Sequence, residues 1–411
     1  MLATEKSRRI TYITWIGFAV CLAGYTALMY RLFYLQAVYC NTAEYPSDIK
    51  AYLLTMQGID SGYDFPYPLY FMLGKFFLLF TNVEVAGALA ATILNSLAVM
   101  ILFYFMDKYL RECGRKTVSG KYTGLFTMFV TFSMFFVSML YMPNGMQFPG
   151  MPYRYLGVFT ANPYHNTTYF ATRPFAILAF FLYVRILDYY EEKTDVKEFI
   201  WFGISLLLTT LTKPSYTLIL VSTAGLLMLY RLFRSKWKTF RRAFYLGLTF
   251  VPTFVLLLYQ FGGVFGRRSH AGNEGGIGIA FGSVWRLFAL NIPLAIVLAM
   301  AFPLVVLIFH TNEIRENTMY RFSWLQWFVS MMEFFLLYEK GSRFSHANFS
   351  WGYMHGIYFA FVTSLLVLTE DTCRDGKKKK KLALTLQWLI FGLHLYCGIL
   401  FFLDVWHGKG Y

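Results

Sequence analysis

The sequence predicts an all-α integral membrane protein of about eleven transmembrane helices, with interfacial helices in the first outer loop. Three observations carry that expectation. Hydrophobic residues make up 57% of the 411 positions and charged residues only 14%, a balance far from that of water-soluble domains. Apolar runs of about 20 residues, enough to cross a hydrocarbon core, recur along the whole chain. Aromatic residues reach 20% and gather at the ends of these runs, where amphipathic rings favour the headgroup region.

The predicted spans are 10–38, 84–107, 121–141, 170–187, 199–212, 214–230, 241–260, 284–309, 322–339, 352–369 and 383–403. With the N-terminus in the cytoplasm, the inner connections collect 25 of the 37 Lys and Arg residues. The reverse orientation would expose that majority, so the positive-inside rule places the N-terminus inside and the C-terminus outside. The run at 66–80 is then a non-spanning interfacial helix, and Lys213 sits at the outer face where two half-spans meet. The first apolar run lacks a small-residue cleavage site before Cys40 and is not read as a cleaved signal peptide. The five cysteines form no disulfide framework.

A single polytopic membrane domain over 1–411 is expected, with outer loops at 39–83, 142–169, 262–283 and 340–351. The formal charge of +15 is spread over inner connections such as Arg231 to Arg242, which points to anionic headgroups and away from nucleic acid. The outer loops hold the chemically able residues. Asp48 is the leading candidate: a carboxylate beside an apolar surface is partly desolvated and becomes a better base toward a hydroxyl. Its alternative role is to cap the helix starting at Ile49. Asp64, with Asp60, lies in the turn DSGYD, where turn chemistry competes with substrate contact. Lys213, ionisable between apolar half-spans, is positioned to meet a lipid phosphate at the headgroup level. Arg267, Arg268 and Arg343 offer guanidinium forks suited to phosphate.

His165 and His346 have aromatic neighbours (Tyr164, Tyr169, Trp351, Tyr353) that stack on pyranose rings, so sugar or acceptor contact is expected there. No HExxH, DxD or GxxxxGK[ST] pattern is present, so neither a metal nor another cofactor is expected. The patterns Asn166-Thr167-Thr168 and Asn348-Phe349-Ser350 match glycosylation acceptors and are read as coincidental. Glu333, an acid at hydrocarbon depth, keeps a transporter or flippase reading open.

The order of elements resembles the GT-C-fold glycosyltransferases, particularly the protein mannosyltransferase and aminoarabinose transferase branch. The matching features are an early outer-loop Asp (Asp48), the interfacial run Pro66-Tyr67-Pro68-Leu69-Tyr70-Phe71 before the second span, and the break Leu211 to Ser215 (LTKPS). The likeness covers about the first 230 residues. The usual His-Pro-Pro is Tyr67-Pro68 here, and no second acid adjoins Asp48. The resemblance implies a GT-C-like fold, a polyprenyl-phosphate sugar donor, and a glycan, lipid or protein acceptor at the extracytoplasmic face of the cell membrane. It also implies an inverting transfer with Asp48 as base and Lys213 on the lipid phosphate; Tyr67 is expected at the sugar or acceptor. A glycan polymerase of the O-antigen type is the nearest alternative enzyme, and a glycolipid transporter the alternative from another class.

Overall fold

A computed structural model describes residues 2–114, 123–140, 156–265, 276–373 and 381–409. Its helices are α1 (Leu2–Val38), α2 (Ile49–Met56), α3 (Leu69–Leu78), α4 (Val83–Gly114), α5 (Thr123–Ser133), α6 (Thr167–Tyr189), α7 (Val196–Thr212) and α8 (Ser215–Arg234). They continue as α9 (Phe240–Leu248), α10 (Val251–Phe265), α11 (Ser283–Arg286), α12 (Ile292–Phe309), α13 (Glu313–Glu316), α14 (Thr318–Leu336), α15 (Ser350–Cys373) and α16 (Lys381–Trp406). Two three-residue strands, β1 (Ile277–Ile279) and β2 (Leu337–Glu339), form an antiparallel ribbon with Gly278 opposite Tyr338.

Several helices suit a multi-pass membrane protein. Among the described residues, seven are long and apolar enough to cross a bilayer, or eight when α9 and α10, bent by 48°, count as one broken span. Each of the eleven predicted segments contains a helix, and not each of these is among the long apolar helices. Helix α7 has 17 residues, and α14 carries Arg321, Gln326 and Glu333 along its length. The segment predicted as 121–141 departs most clearly. Its described helix, α5, has 11 residues, a rise of about 16 Å. The chain then unwinds through Met134–Leu140 while remaining buried.

Non-helical backbone at that depth is tolerated only where protein groups satisfy it, and here they do. Asn162 Nδ2 donates to the carbonyls of Met134 and Val137 at 3.2 and 2.7 Å. The Ser138 amide donates to the His394 carbonyl, and the Leu140 amide to that of Leu298. His394 Nε2 accepts from the Phe302 amide at 3.2 Å, which fixes the proton on Nδ1, and Nδ1 donates to the Ser138 carbonyl at 2.6 Å. One neutral imidazole thus joins α12, α16 and the unwound segment. In α16, Gly398 leaves the space that the Phe136 carbonyl fills.

The helix α15 is the central post: its apolar window is 100% buried inside the protein. Small residues let neighbours close on it. A Cβ on Gly352 would meet Ile219 Cγ2 at 2.8 Å and the Ser215 carbonyl at 3.3 Å, and one on Gly356 would meet Trp327 Cα at 3.1 Å. This close approach brings the start of α8 against the first turn of α15. The helix α3 is only 10 residues long, consistent with its assignment as non-spanning, and exposes Met72 and Phe76 beside the buried Tyr70 and Phe71.

The described part of the expected 142–169 outer loop is buried: residues 157–166 lie in the interior, and helix α6 begins at Thr167. The segment threads the core because buried amides meet its carbonyls, with Gln36 Nε2 donating to that of Tyr164 at 2.9 Å.

Two glycines of one helix give a test of this packing. Gly398→Ala should destabilise the protein by about 1–3 kcal/mol, because the Phe136 backbone cannot move aside cheaply. Gly392→Ala, with open space at its Cβ, should be neutral or stabilising by up to about 1 kcal/mol. Thermal unfolding of both variants in detergent checks the pair.

Candidate functional site

The ends of α2, α6, α7, α8 and α15 meet at one end of the bundle, and each presents a polar group because of a local rule. The residue before a proline is pushed out of the helical region, so Lys213, preceding Pro214, adopts φ −170°, ψ 126° and ends α7. Helix α8 restarts at Ser215. The Lys213 ammonium is therefore turned out of the helical path into a pocket of groups where the side chain is buried. Its Nζ donates to Asn166 Oδ1 at 3.1 Å and Thr168 Oγ1 at 3.2 Å, and sits 4.3 Å from the centre of the Trp351 ring. Burial pulls its pKa down to about 7, with the Asp48 carboxylate opposing part of that fall.

Asn166 is the N-cap of α6. Its extended backbone (φ −120°, ψ 103°) lets Oδ1 accept from the Tyr169 amide at 2.8 Å. The same oxygen accepts from the Thr168 hydroxyl at 2.8 Å and from Lys213. Its Nδ2 donates to Asp48 Oδ2 at 2.6 Å and to the Tyr52 hydroxyl at 2.9 Å. Three donors converge on the oxygen and two acceptors on the nitrogen, so only one amide orientation is consistent. Asp48 and Lys213 are thus joined through one side chain, within about 8 Å of each other by the reach of two hydrogen bonds and an amide.

Asp48 stands at the N-cap position of α2, but its side chain makes no capping hydrogen bond. Ser47 Oγ accepts from the Ile49 amide instead, at 3.2 Å. The Asp48 carboxylate reaches across to α6, and its side chain remains 46% exposed, more solvated than the sequence suggests. His165 Nε2 lies 3.5 Å from Asp48 Oδ2, and the Asp48 amide donates to the His165 carbonyl at 3.0 Å. Burial lowers the His165 pKa, Asp48 opposes that, and Lys213 adds to it. The imidazole is therefore neutral near pH 7, and its ring packs 5.3 Å from Trp351.

Tyr67 extends the site toward the β-ribbon. Burial is the main cause that raises its phenol pKa, with the Asp48 charge next, while Arg343 and Thr168 counter it. Glu339, at the end of β2, accepts from Asn348 Nδ2 at 2.7 Å and lies 3.9 Å from Arg343 Nη1. Burial raises the Glu339 pKa against the opposing effects of Asn348, Arg343 and His346. Arg343 is thus engaged by a neighbouring acid rather than held open.

The remaining expected residues lie apart. His346 is exposed and its ring centroid sits 6.0 Å from that of Tyr63, at the rim. Asp64 is exposed and makes no hydrogen bond or ion pair with the described residues. Asp60 Oδ1 accepts from the Gly62 amide at 2.9 Å, the expected turn role. Arg267 and Arg268 lie outside the described residues. No group of three or more metal-ligating side chains occurs among the described residues.

Sequence reasoning missed Asn166, Tyr52 and Thr168 as members of the site. Asn166 had been noted only as a glycosylation pattern, yet it is 1% exposed. An Asn just before an apolar run is an N-cap signal, and that signal was available.

Removing the bridge has a defined consequence. Asn166→Ala should cost about 1–3 kcal/mol of stability, since the buried ammonium and the Tyr52 hydroxyl both lose a partner. Denaturation of the purified variant measures it; an unchanged midpoint would mean that the amide holds nothing. No protein-family model, curated protein or solved structure matches the chain.

Proposed function

We propose that this protein is an integral-membrane glycosyltransferase with a GT-C-like fold, moving a sugar from a polyprenyl-phosphate donor to an acceptor at the extracytoplasmic face. The single observation that carries the reading is the Asp48–Asn166–Lys213 bridge. It links a half-exposed carboxylate to a buried ammonium at about the span of a sugar-phosphate headgroup. Asp48 is the general base. Both of its contacts fall on Oδ2, which leaves Oδ1 for an acceptor hydroxyl. Asn166 and neutral His165 orient the carboxylate. Lys213, held over the Trp351 ring, takes the donor phosphate, and the half-buried Tyr67 offers aromatic surface to the sugar.

In the reaction the acceptor oxygen attacks the anomeric carbon from the face opposite the phosphate. Its proton passes to Asp48, and the carbon–oxygen bond to phosphate breaks with the electron pair leaving on phosphate. A phosphate leaves without help from a second acid, so one carboxylate suffices, unlike the pair used in glycoside hydrolysis.

Asp48→Asn should lower transfer from a labelled polyprenyl-phosphoryl sugar by about 10²–10⁴-fold, the usual contribution of a positioned base. Wild-type turnover in that variant would end the assignment. Lys213 supplies a second test, through pH. A phosphate binds the charged ammonium, and the free site loses its proton above about pH 7. Donor affinity should therefore fall by up to about tenfold per pH unit between pH 7.5 and 9, because binding must then take up a proton. Lys213→Gln should bind the donor more weakly at pH 6.5 and show no such slope. Equal slopes in both proteins would remove Lys213 from the phosphate.

A further inference from the structure

The opposite end of α8 holds a second feature that the site chemistry does not use. The turn joining α8 to α9 places Lys236 and Trp237 in the left-handed region, at φ 51° and 64°. Two consecutive non-glycine residues there are strained, and such strain persists only where surrounding contacts enforce it. The enforcing contacts are the hydrogen bonds from the Lys236 amide to the Phe233 carbonyl and from the Trp237 amide to that of Leu232. The effect is to push both side chains outward at the tip.

Around that tip runs a ladder of exposed rings. Phe233, Trp237, Phe240 and Phe244 follow one another at centroid separations of 5.5, 5.9 and 6.3 Å. Cations crowd the same place. Arg231 is committed to the Leu187 carbonyl at 2.7 Å and to Glu191 at 3.6 Å, and Arg242 to the Glu191 carbonyl. Lys236 and Lys238 are exposed and have no acidic partner among the described residues. The cluster has more positive charge than its own acids neutralise.

We infer that this turn is a binding site for the phosphate headgroup of an anionic glycerophospholipid, held by Lys236, Lys238 and Arg234 above the Trp237 ladder. The cations match phosphate, and exposed aromatic rings favour the level where acyl chains meet headgroups. An acidic peptide or a nucleic acid would satisfy the cations but leave the ladder in water, so a lipid fits both halves of the surface. The site lies about 30 Å from Lys213, the length of the 20-residue α8, and is independent of the proposed transfer.

Native mass spectrometry of the purified protein in neutral detergent tests this, with dioleoylphosphatidylglycerol and dioleoylphosphatidylcholine as the two probes. The wild type should retain phosphatidylglycerol in preference to phosphatidylcholine. Lys236→Gln/Lys238→Gln should weaken phosphatidylglycerol binding roughly 25-fold, at about fivefold for each basic residue. Lys193→Gln/Lys197→Gln removes the same charge from the neighbouring α6–α7 turn and should change it by no more than about twofold. Lys236→Arg/Lys238→Arg should restore binding, which separates lost charge from a misfolded turn. Equal losses in the two glutamine variants would reduce the effect to general surface charge, and undiminished binding in Lys236→Gln/Lys238→Gln would overturn the site.

Discussion

An ammonium removed from water must be surrounded by acceptors and by opposite charge, or it gives up its proton. Lys213 is in that position, and four helix ends are organised around it. Pro214 forces the break that turns the side chain inward, Asn166 and Thr168 supply the oxygens, and Trp351 supplies a ring face. The choice of asparagine at the cap follows from the same constraint. Serine or threonine would cap α6 equally well but offers no amide nitrogen to Asp48 and Tyr52. Aspartate would accept from Lys213 but face Asp48 with a second carboxylate. Only a side chain that accepts on one edge and donates on the other can cap the helix, hold the lysine and orient the acid together.

How much of this was legible depends on what each signal competes with. Long apolar runs have few alternative explanations, so the membrane class and most helix positions could be read directly. The number of full crossings could not, because hydropathy does not distinguish a helix from buried extended chain. Met134–Leu140 is as apolar as a span, and its unwinding depends on Asn162 and His394, which are distant in sequence. Lys213 was visible because ionisable residues between apolar runs are rare, and Asp48 because it is an early acid in the loop after the first apolar run. Tyr52 and Thr168 were not, since one phenol among 31 tyrosines and one hydroxyl beside a helix start carry no distinguishing pattern. The short ribbon was equally hidden: three residues alternate too briefly to separate a strand from the end of α14.

The balance of buried charge gives the site a consistent sign. Arg173, in the first turns of α6, is fully buried. It bonds the Ala161 carbonyl and is enclosed by the rings of Phe135, Tyr169, Phe170 and Tyr358 at 4.6–5.6 Å. It has no carboxylate partner among the described residues. Aromatic faces stabilise a guanidinium without cancelling its charge, so its field extends to the neighbouring helix end. With His165 neutral and Arg343 engaged by Glu339, Arg173 and Lys213 stand against Asp48 among the described residues, and an anionic occupant would complete the balance.

The proposed displacement would also move charge in a direction this arrangement favours. Before transfer the negative charges are the Asp48 carboxylate and the phosphodiester of the donor. As the acceptor proton reaches Asp48, that carboxylate becomes neutral and the departing phosphate gains the charge it lost. Lys213 is tied to Asp48 through Asn166 and lies where the phosphate is proposed to sit, so it faces opposite charge before and after the step. The low dielectric around a buried ammonium strengthens such an interaction relative to water. A fixed cation beside the phosphate then stabilises the transition state more than the ground state, because only the former has charge building on the leaving oxygen. The burial that makes Lys213 expensive in the empty protein is, on this argument, what makes it effective once a phosphate is present.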